Sequence, residues 1–270
     1  MFKKPVLKRI ILILATLFAL YLLAGWPDST PLPEKPKNTL RIATLNINYG
    51  NRSADELETF IRENDLDIVL IIEYSDGNFF PESLKDRYKT VITYPAYTRG
   101  LALLHKKDIR VEASIKPSLI RTICSFPFVN ASLKWKGKRF SLLGLHAPPP
   151  VPSCGVQTDT VLKAFAGLLD KGVLQKSIGN CNKGEPLVLL GDLNAFPFQP
   201  GVGGLKEAGL IDAWAENRFG TGLTWKPLSM LIPVARIDYI MHSPEIETKN
   251  IYCTNLPGSD HQAVIADIRF

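Results

Sequence analysis

Cysteine is sparse: four residues in 270, none in a CxxC pair, so there is no thiolate framework for zinc. Charge of one sign is scarce too, once the net +6 is divided along the chain. Residues 1–37 hold six Lys/Arg against two acids, and the rest holds 26 against 24. The body is therefore only +2 and has no strong basic stripe of the kind that grips a duplex. No internal repeat and no second linker interrupt it, which argues for one domain. With 46% hydrophobic and 21% charged residues, disorder, collagen-like repeats and a polytopic membrane protein are all excluded as classes. A chain of this length can bury a sizeable core.

One long apolar run is present. Lys3, Lys4, Lys8 and Arg9 precede Ile10–Gly25, which is uncharged. Sixteen helical residues cover about 24 Å, a little short of a hydrocarbon core near 30 Å, and Trp26 with a snorkelling Arg9 makes up most of the difference. A retained anchor is favoured over a cleaved signal peptide: Leu23-Ala24-Gly25 has a small residue at −1 but not at −3, and no cysteine follows to take a lipid. The charge asymmetry puts the N-terminus in the cytoplasm and the body outside. The expected organisation is a basic tail (1–9), a transmembrane anchor or signal peptide (10–26), a Pro-rich stalk (27–37) and a catalytic domain (38–270). Localisation follows as the cell membrane, single-pass, with the domain on the extracytoplasmic side. Export permits disulfides, and Cys154–Cys181, flanking a helical segment, is the pair expected. Cys124 and Cys253 fit inert buried thiols nearly as well as a bridge.

In the body, short apolar strands alternate with a few helices. Strands are predicted at 40–45, 67–72, 91–94, 101–105, 128–135, 139–145, 187–190, 237–242, 246–253 and 263–270. Helices are predicted at 53–64, behind the capping box Ser53-Ala54-Asp55-Glu56, at about 158–177, and briefly before Gly209. Lys136-Gly137-Lys138 marks a hairpin. Strands outnumber helices, so the fold class is a layered α/β domain with mixed sheets rather than a parallel Rossmann sheet.

The informative residues stand at strand ends. Asn46 ends the first strand, Glu73 follows the second, and His146 ends LLGLH. Asp192 and Asn194 follow LVLL, Asp238 lies in RIDYI, and Asp260-His261 precedes the last strand. Each alone has a bland reading, such as a turn amide for Asn46, a first solvated residue for Glu73 or an Asx-turn for Asp192 with Asn194. Asp238 among apolar neighbours is harder to dismiss, because a buried carboxylate needs a partner. Strand ends on one side of a sheet converge, and hard oxygen ligands suit Mg²⁺, Mn²⁺ or Ca²⁺. A water-activating histidine beside such a cation is equipment for hydrolysing a phosphate ester.

The stretches ATLNIN, IVLIIE, LLGLHAP, VLLGDLN, RIDYI and GSDH occur in one order from Asn46 to His261. That set resembles the endonuclease/exonuclease/phosphatase superfamily, which includes DNase I, exonuclease III and the neutral sphingomyelinases. The resemblance implies a four-layer α/β sandwich, two mixed sheets face to face with helices outside. It also implies roles. Glu73, with Asn46 and Asp260, would hold a divalent metal, Mg²⁺ ahead of Mn²⁺ or Ca²⁺. His261, oriented by Asp238, would be the general base. Asp192 would position the attacking water or share its proton, and Asn194 and His146 would donate to phosphoryl oxygens. DNase I-like members pair the histidine at the position of His146 with a carboxylate, whereas Tyr97-Thr98-Arg99-Gly100-Leu101 holds no acid. His146 is then mainly a hydrogen-bond donor, and Arg99 is either a phosphate contact or a solvated arginine. Exonuclease III-like abasic-site enzymes carry an aromatic two residues before the RIDY-type Asp, and Ala235-Arg236-Ile237 does not support that specialisation.

The expectation is a monomeric, metal-dependent, nuclease-like phosphodiester hydrolase whose substrate is nucleic acid in preference to lipid. Phe196-Pro197-Phe198, just past GDLN, could stack on a base or contact a lipid chain, with core packing the favoured role for at least one ring. The alternatives are a phospholipid or small phosphate-ester hydrolase of the same chemistry, motivated by the anchor, and a non-catalytic tethered binding module.

Overall fold

Every residue of the first strand, Leu40–Asn46 (β1), is buried, although Arg41, Thr44 and Asn46 are polar. A strand buried on both faces needs a layer on each side. The computed structural model describes residues 4–24, 27–28, 30–50, 54–75, 82–94, 100–115, 128–150, 157–172, 185–227, 230 and 232–270. The helix Lys4–Ala24 (α1) precedes β1, and Ala54–Glu63 (α2) follows it. Then come strands Ile68–Ile72 (β2), Tyr88–Tyr94 (β3), Leu101–Lys106 (β4), Arg110–Ile115 (β5), Phe128–Trp135 (β6) and Lys138–His146 (β7). Helix Thr158–Asp170 (α3), strand Leu187–Asp192 (β8), helix Pro200–Glu207 (α4), strand Ile211–Asp212 (β9) and helix Ala213–Asn217 (α5) lead to the last three strands. These are Asp238–His242 (β10), Glu247–Asn255 (β11) and Gln262–Arg269 (β12).

The strands form two six-stranded sheets, β11-β12-β1-β2-β4-β3 and β5-β6-β7-β8-β10-β9. Each is antiparallel except for one parallel pair near its middle, β1 with β2 and β7 with β8. Leu40, Ile42, Ile68 and Leu70 of the first sheet meet Phe140, Leu142, Val188 and Leu190 of the second in the inner core. The opposite faces are covered by helices. Leu57, Phe60 and Ile61 of α2 pack on Ala43, Leu45 and Val69. Leu162, Phe165 and Val202 of α3 and α4 pack on Leu143, Leu145 and Leu189. The mixed-sheet layered reading is thereby met.

Several boundaries differ from expectation for identifiable reasons. The helix expected to reach Ser177 ends at Asp170, where Gly172 at φ 62° turns the chain; residues 173–177 lie outside the described set. β5 and the β9–α5 unit are not predicted at all: β5, RVEASI, does alternate polar with apolar residues and its signal was missed, whereas β9 is too short to show a period. Lys136 and Gly137, both at positive φ, make the expected hairpin, with Trp135 opposite Lys138.

The segment read as a free stalk lies along the domain. Asp28 exchanges hydrogen bonds with Cys253, the Leu32 amide donates to Asn64 Oδ1 at 3.0 Å, and Lys35 binds Asp67 at 2.7 Å. The segment thus meets β11, a sheet edge otherwise open to pairing. Among the described residues no helix is long and apolar enough to cross a membrane. The uncharged part of α1, Ile10 to Ala24, covers only about 22 Å. Gly25 and Trp26, needed to complete the expected span, are outside the described residues, as are Cys124, Cys154 and Cys181. Cys253 is a free buried thiol, and no disulfide is found among the described residues.

One ion pair is buried completely within the first sheet. Arg41 Nε lies 2.7 Å from Asp267 Oδ1, and the guanidinium also donates to the carbonyls of Asn64 and Pro33. Removing one partner leaves an uncompensated charge in an apolar site. Asp267→Ala should lower unfolding free energy by about 3–5 kcal/mol, checked by urea titration of the full-length protein.

Candidate active site

Period-two alternation carries the polar residues inward. Asn46 shares the face of Leu40 and Ile42, Asp192 that of Val188 and Leu190, His146 that of Phe140 and Leu142, and Asp238 that of Ile240. Register completes the grouping. Asp192 is opposite His146 on one side and Asp238 on the other, at the ends of β7 and β8 and the start of β10. All four side chains are buried. They collect at the carboxyl ends of the parallel strands, where the chain leaves the sheets and a crevice can form.

Glu73 lies one residue past β2, where alternation would turn it away. Its φ of 60° breaks the alternation, and Asn46 Nδ2 donates to Glu73 Oε1 at 3.2 Å. The same amide donates to Asp192 Oδ2 on the other sheet at 3.1 Å and lies 3.4 Å from His261 Nε2. His261 Nδ1 is 2.9 Å from Asp238 Oδ2. Its Nε2 and that of His146 each lie 3.9 Å from Asp192 Oδ2. Asn194, at φ 48°, donates its backbone N–H to Asp192 Oδ1 and one amide hydrogen to the Ala147 carbonyl, both at 2.8 Å. That leaves a single amide hydrogen of Asn194 for a substrate. Asp260 accepts from Trp225 Nε1 at 3.2 Å and has no hydrogen bond to Asn46 or Glu73 among those described. Residues 95–99, including Arg99, are outside the described set.

Three residues absent from the sequence prediction hold these groups in place. Thr224 Oγ1 accepts the N–H groups of Ile237 and Asp238. Ser259 Oγ donates to the Asn46 carbonyl at 2.6 Å and accepts from the His261 N–H. Trp225 supports Asp260 and bridges the backbone at His261. Only Ser259 had a signal, as part of GSDH. Gly191 is also required: a Cβ there would lie 1.8 Å from the Leu145 carbonyl oxygen.

Burial pushes the Glu73 carboxyl up, against the hydrogen bond from Asn46. Burial, then the charge of Asp238, push Asp192 up. For His261 burial pulls down, but the charge and hydrogen bond of Asp238, with Asp192 and Asp260 behind it, hold the imidazole above its usual range. The ion pairs that Asp192 and Asp238 make among the described residues are with histidines alone. The crevice therefore concentrates negative charge that no described lysine or arginine neutralises. Asp192, Asp238 and His261 offer ligand atoms within 4.8 Å of one another, but the Asp238–His261 hydrogen bond already occupies that histidine's Nδ1. Glu73, with the charge of Asp260 near it, offers the hard carboxylate oxygen that suits a divalent cation, whereas Asn46 faces it with Nδ2 while its Oδ1 accepts the Asn48 N–H at 3.0 Å.

A model of the Endonuclease/Exonuclease/phosphatase family matches residues 43–261, a span that contains every one of these groups. The chain belongs to that family. No curated protein matches the sequence. Among solved structures, a family protein from Bacteroides vulgatus is 21% identical, with a TM-score of 0.67 over 87% of this chain and 100% of its own. The 3′ phosphatase NExo from Neisseria, bound to a product DNA hairpin, is 16% identical, with a TM-score of 0.65 over 86% of this chain and 100% of its own. A mannosyl-6-phosphatase from Bacteroides thetaiotaomicron is 16% identical, with a TM-score of 0.62 over the same shares. At these identities the likeness establishes the two-sheet family fold.

The electrostatics give a direct test. Asp238 raises the affinity of His261 for its proton, so Asp238→Asn should move the His261 titration midpoint to lower pH in the metal-free protein. Histidine ring signals followed by NMR between pH 5 and 10 would show the shift, and an unmoved midpoint would contradict the pairing.

Proposed function

We propose that this family member is a divalent-metal-dependent phosphodiester hydrolase, nuclease-like in its substrate, that activates water with His261. The observation that carries the reading is the Asp238–His261 pair in a buried crevice with Glu73, Asn46 and Asp192. A divalent cation at Glu73, assisted by Asn46 and Asp260, would place positive charge on the phosphoryl oxygens. His261 takes a proton from the attacking water at Nε2, because Nδ1 is engaged by Asp238. Asp238 fixes the ring and stabilises the imidazolium that forms. Asp192, 3.9 Å from both imidazoles, orients the water or shares its proton. His146 and the remaining amide hydrogen of Asn194 donate to phosphoryl oxygens as charge builds.

Nucleic acid is the favoured substrate, and the hairpin-bound 3′ phosphatase with the same fold supports that choice. A second reading, a phospholipid or small phosphate ester, is favoured by α1, whose side chains from Val6 to Leu20 are exposed. The mannosyl-6-phosphatase shows the fold on a sugar phosphate. We also propose that the N-terminal segment, α1 included, holds the domain at the cell membrane on its extracytoplasmic side, and that the protein acts as a monomer.

The deciding measurement is hydrolysis of bis-p-nitrophenyl phosphate by the full-length protein with Mg²⁺, Mn²⁺, Ca²⁺ or EDTA. Turnover should require a metal and fall by about 10²–10⁴ in His261→Ala, the range of a general base. Equal turnover in EDTA, or in His261→Ala, would remove the mechanism, and a folded protein inert toward every ester would favour a binding module. Separately, carbonate extraction should leave the full-length chain in the membrane fraction and release a chain lacking residues 1–24.

A further inference from the structure

Large apolar side chains are exposed at few places in the described domain: Tyr49, Phe196, Phe198, Phe219, Met230 and Val234. Phe196 and Phe198 differ from the others in geometry. Their rings are stacked with centroids 5.4 Å apart and planes within 2° of parallel. Phe198 is 84% exposed and Phe196 40%, so most of the Phe198 ring is open to solvent. Burial does not account for the arrangement, since stacking two phenylalanines on the surface covers only part of their apolar area.

The loop that carries them is held firmly. Asn194 is tied to Ala147, and the Ala195 carbonyl accepts from Tyr239 OH at 2.7 Å. Phe196 and Gln199 exchange two hydrogen bonds, backbone N–H to side chain and side-chain bearer's N–H to carbonyl, immediately before Pro200 starts α4. Phe198 is only four residues past Asn194, on the edge of the sandwich where the catalytic strands end. Tyr49, also exposed, follows Asn46 on the same edge. The loop Leu193–Gln199 has no charged side chain, so it adds no attraction for phosphate.

The geometry points to the Phe196–Phe198 pair as a stacking platform for one unpaired nucleobase of the substrate, next to the scissile phosphate. This rests on the nuclease-like reading and names what that site recognises. A rigid, flat, uncharged face the size of one ring suits a base, which is planar and offers a π-face whatever its identity. A spread apolar patch would suit acyl chains better, and face-to-face stacking reduces the spread. Recognition by stacking selects single-stranded or frayed nucleic acid without sequence preference.

The test uses full-length protein and two fluorescein-labelled strands of equal length, one of thymidines and one of abasic tetrahydrofuran units. Anisotropy titration in EDTA reads binding without cleavage. The wild type should bind the thymidine strand about tenfold or more tightly than the abasic strand, the range expected of one stacked base. Phe198→Ala should collapse that ratio toward one and Phe198→Trp should restore it. Phe198 is exposed, so both variants should unfold at the wild-type temperature, which a melting curve verifies. A wild-type ratio near one, or an undiminished ratio in Phe198→Ala, overturns the platform. So does a Phe198→Ala protein that keeps its strand preference but loses binding to phosphatidylglycerol vesicles, an outcome that assigns the rings to lipid. Failure of the nuclease reading looks different: base-dependent binding would persist in EDTA while no metal supported cleavage of either strand.

Discussion

Asn46 is hydrogen-bonded to both sheets at once, to Glu73 within its own and to Asp192 across the interior. The crevice can form only if the two inner faces approach closely enough for that amide to reach across. The inner core sets the approach, because Ile42, Leu70, Leu142 and Leu190 must interdigitate to close. Gly144 shows how tight the fit is: a Cβ there would lie 2.8 Å from a methyl of Leu70. Site geometry is therefore a consequence of apolar packing several residues away, and the buried Arg41–Asp267 pair fixes the same strand farther back.

Electrostatically the site is built against itself. Burial raises Glu73 and Asp192, and the surrounding carboxylates hold a proton on His261. An arrangement serving stability alone would supply a lysine or arginine, as Asp65 and Asp67 are supplied with Lys35 and Lys106 at the opposite end of the first sheet. Carboxylates crowded at the strand ends and paired, among the described residues, with histidines alone are instead what a cation would stabilise, and a cation there would also lower the proton affinity of His261 toward the range of a base. Two of the site's residues, Glu73 and Asn194, have left-handed φ angles, and for Glu73 this is a conformation that most side chains avoid.

Much of this was legible from residue order. The apolar runs in LRIATLN and LVLLGD give buried strands, strand period turns their polar ends inward, and the six motifs name every group of the crevice. Strand β9 and helix α5 were not legible, because two and five residues are too few to display a period, whereas β5 carried a period-two pattern in RVEASI that went unread. The residues 27–37 were misjudged for a related reason. Prolines set an extended backbone, but only the edge of β11 and the side chains of Asn64 and Asp67 determine that it lies on the domain.

Motif order and strand period are local properties of the chain, so the sequence alone determined which polar residues stand at the strand ends. Tertiary structure decided how they meet. Asp192 faces His146 and Asp238 through register, Glu73 reaches Asn46 through a left-handed turn, and Thr224, Ser259 and Trp225 act as supports. Such contacts join residues from 13 to more than 200 positions apart, and they exist only once the packed core has brought the strand ends together.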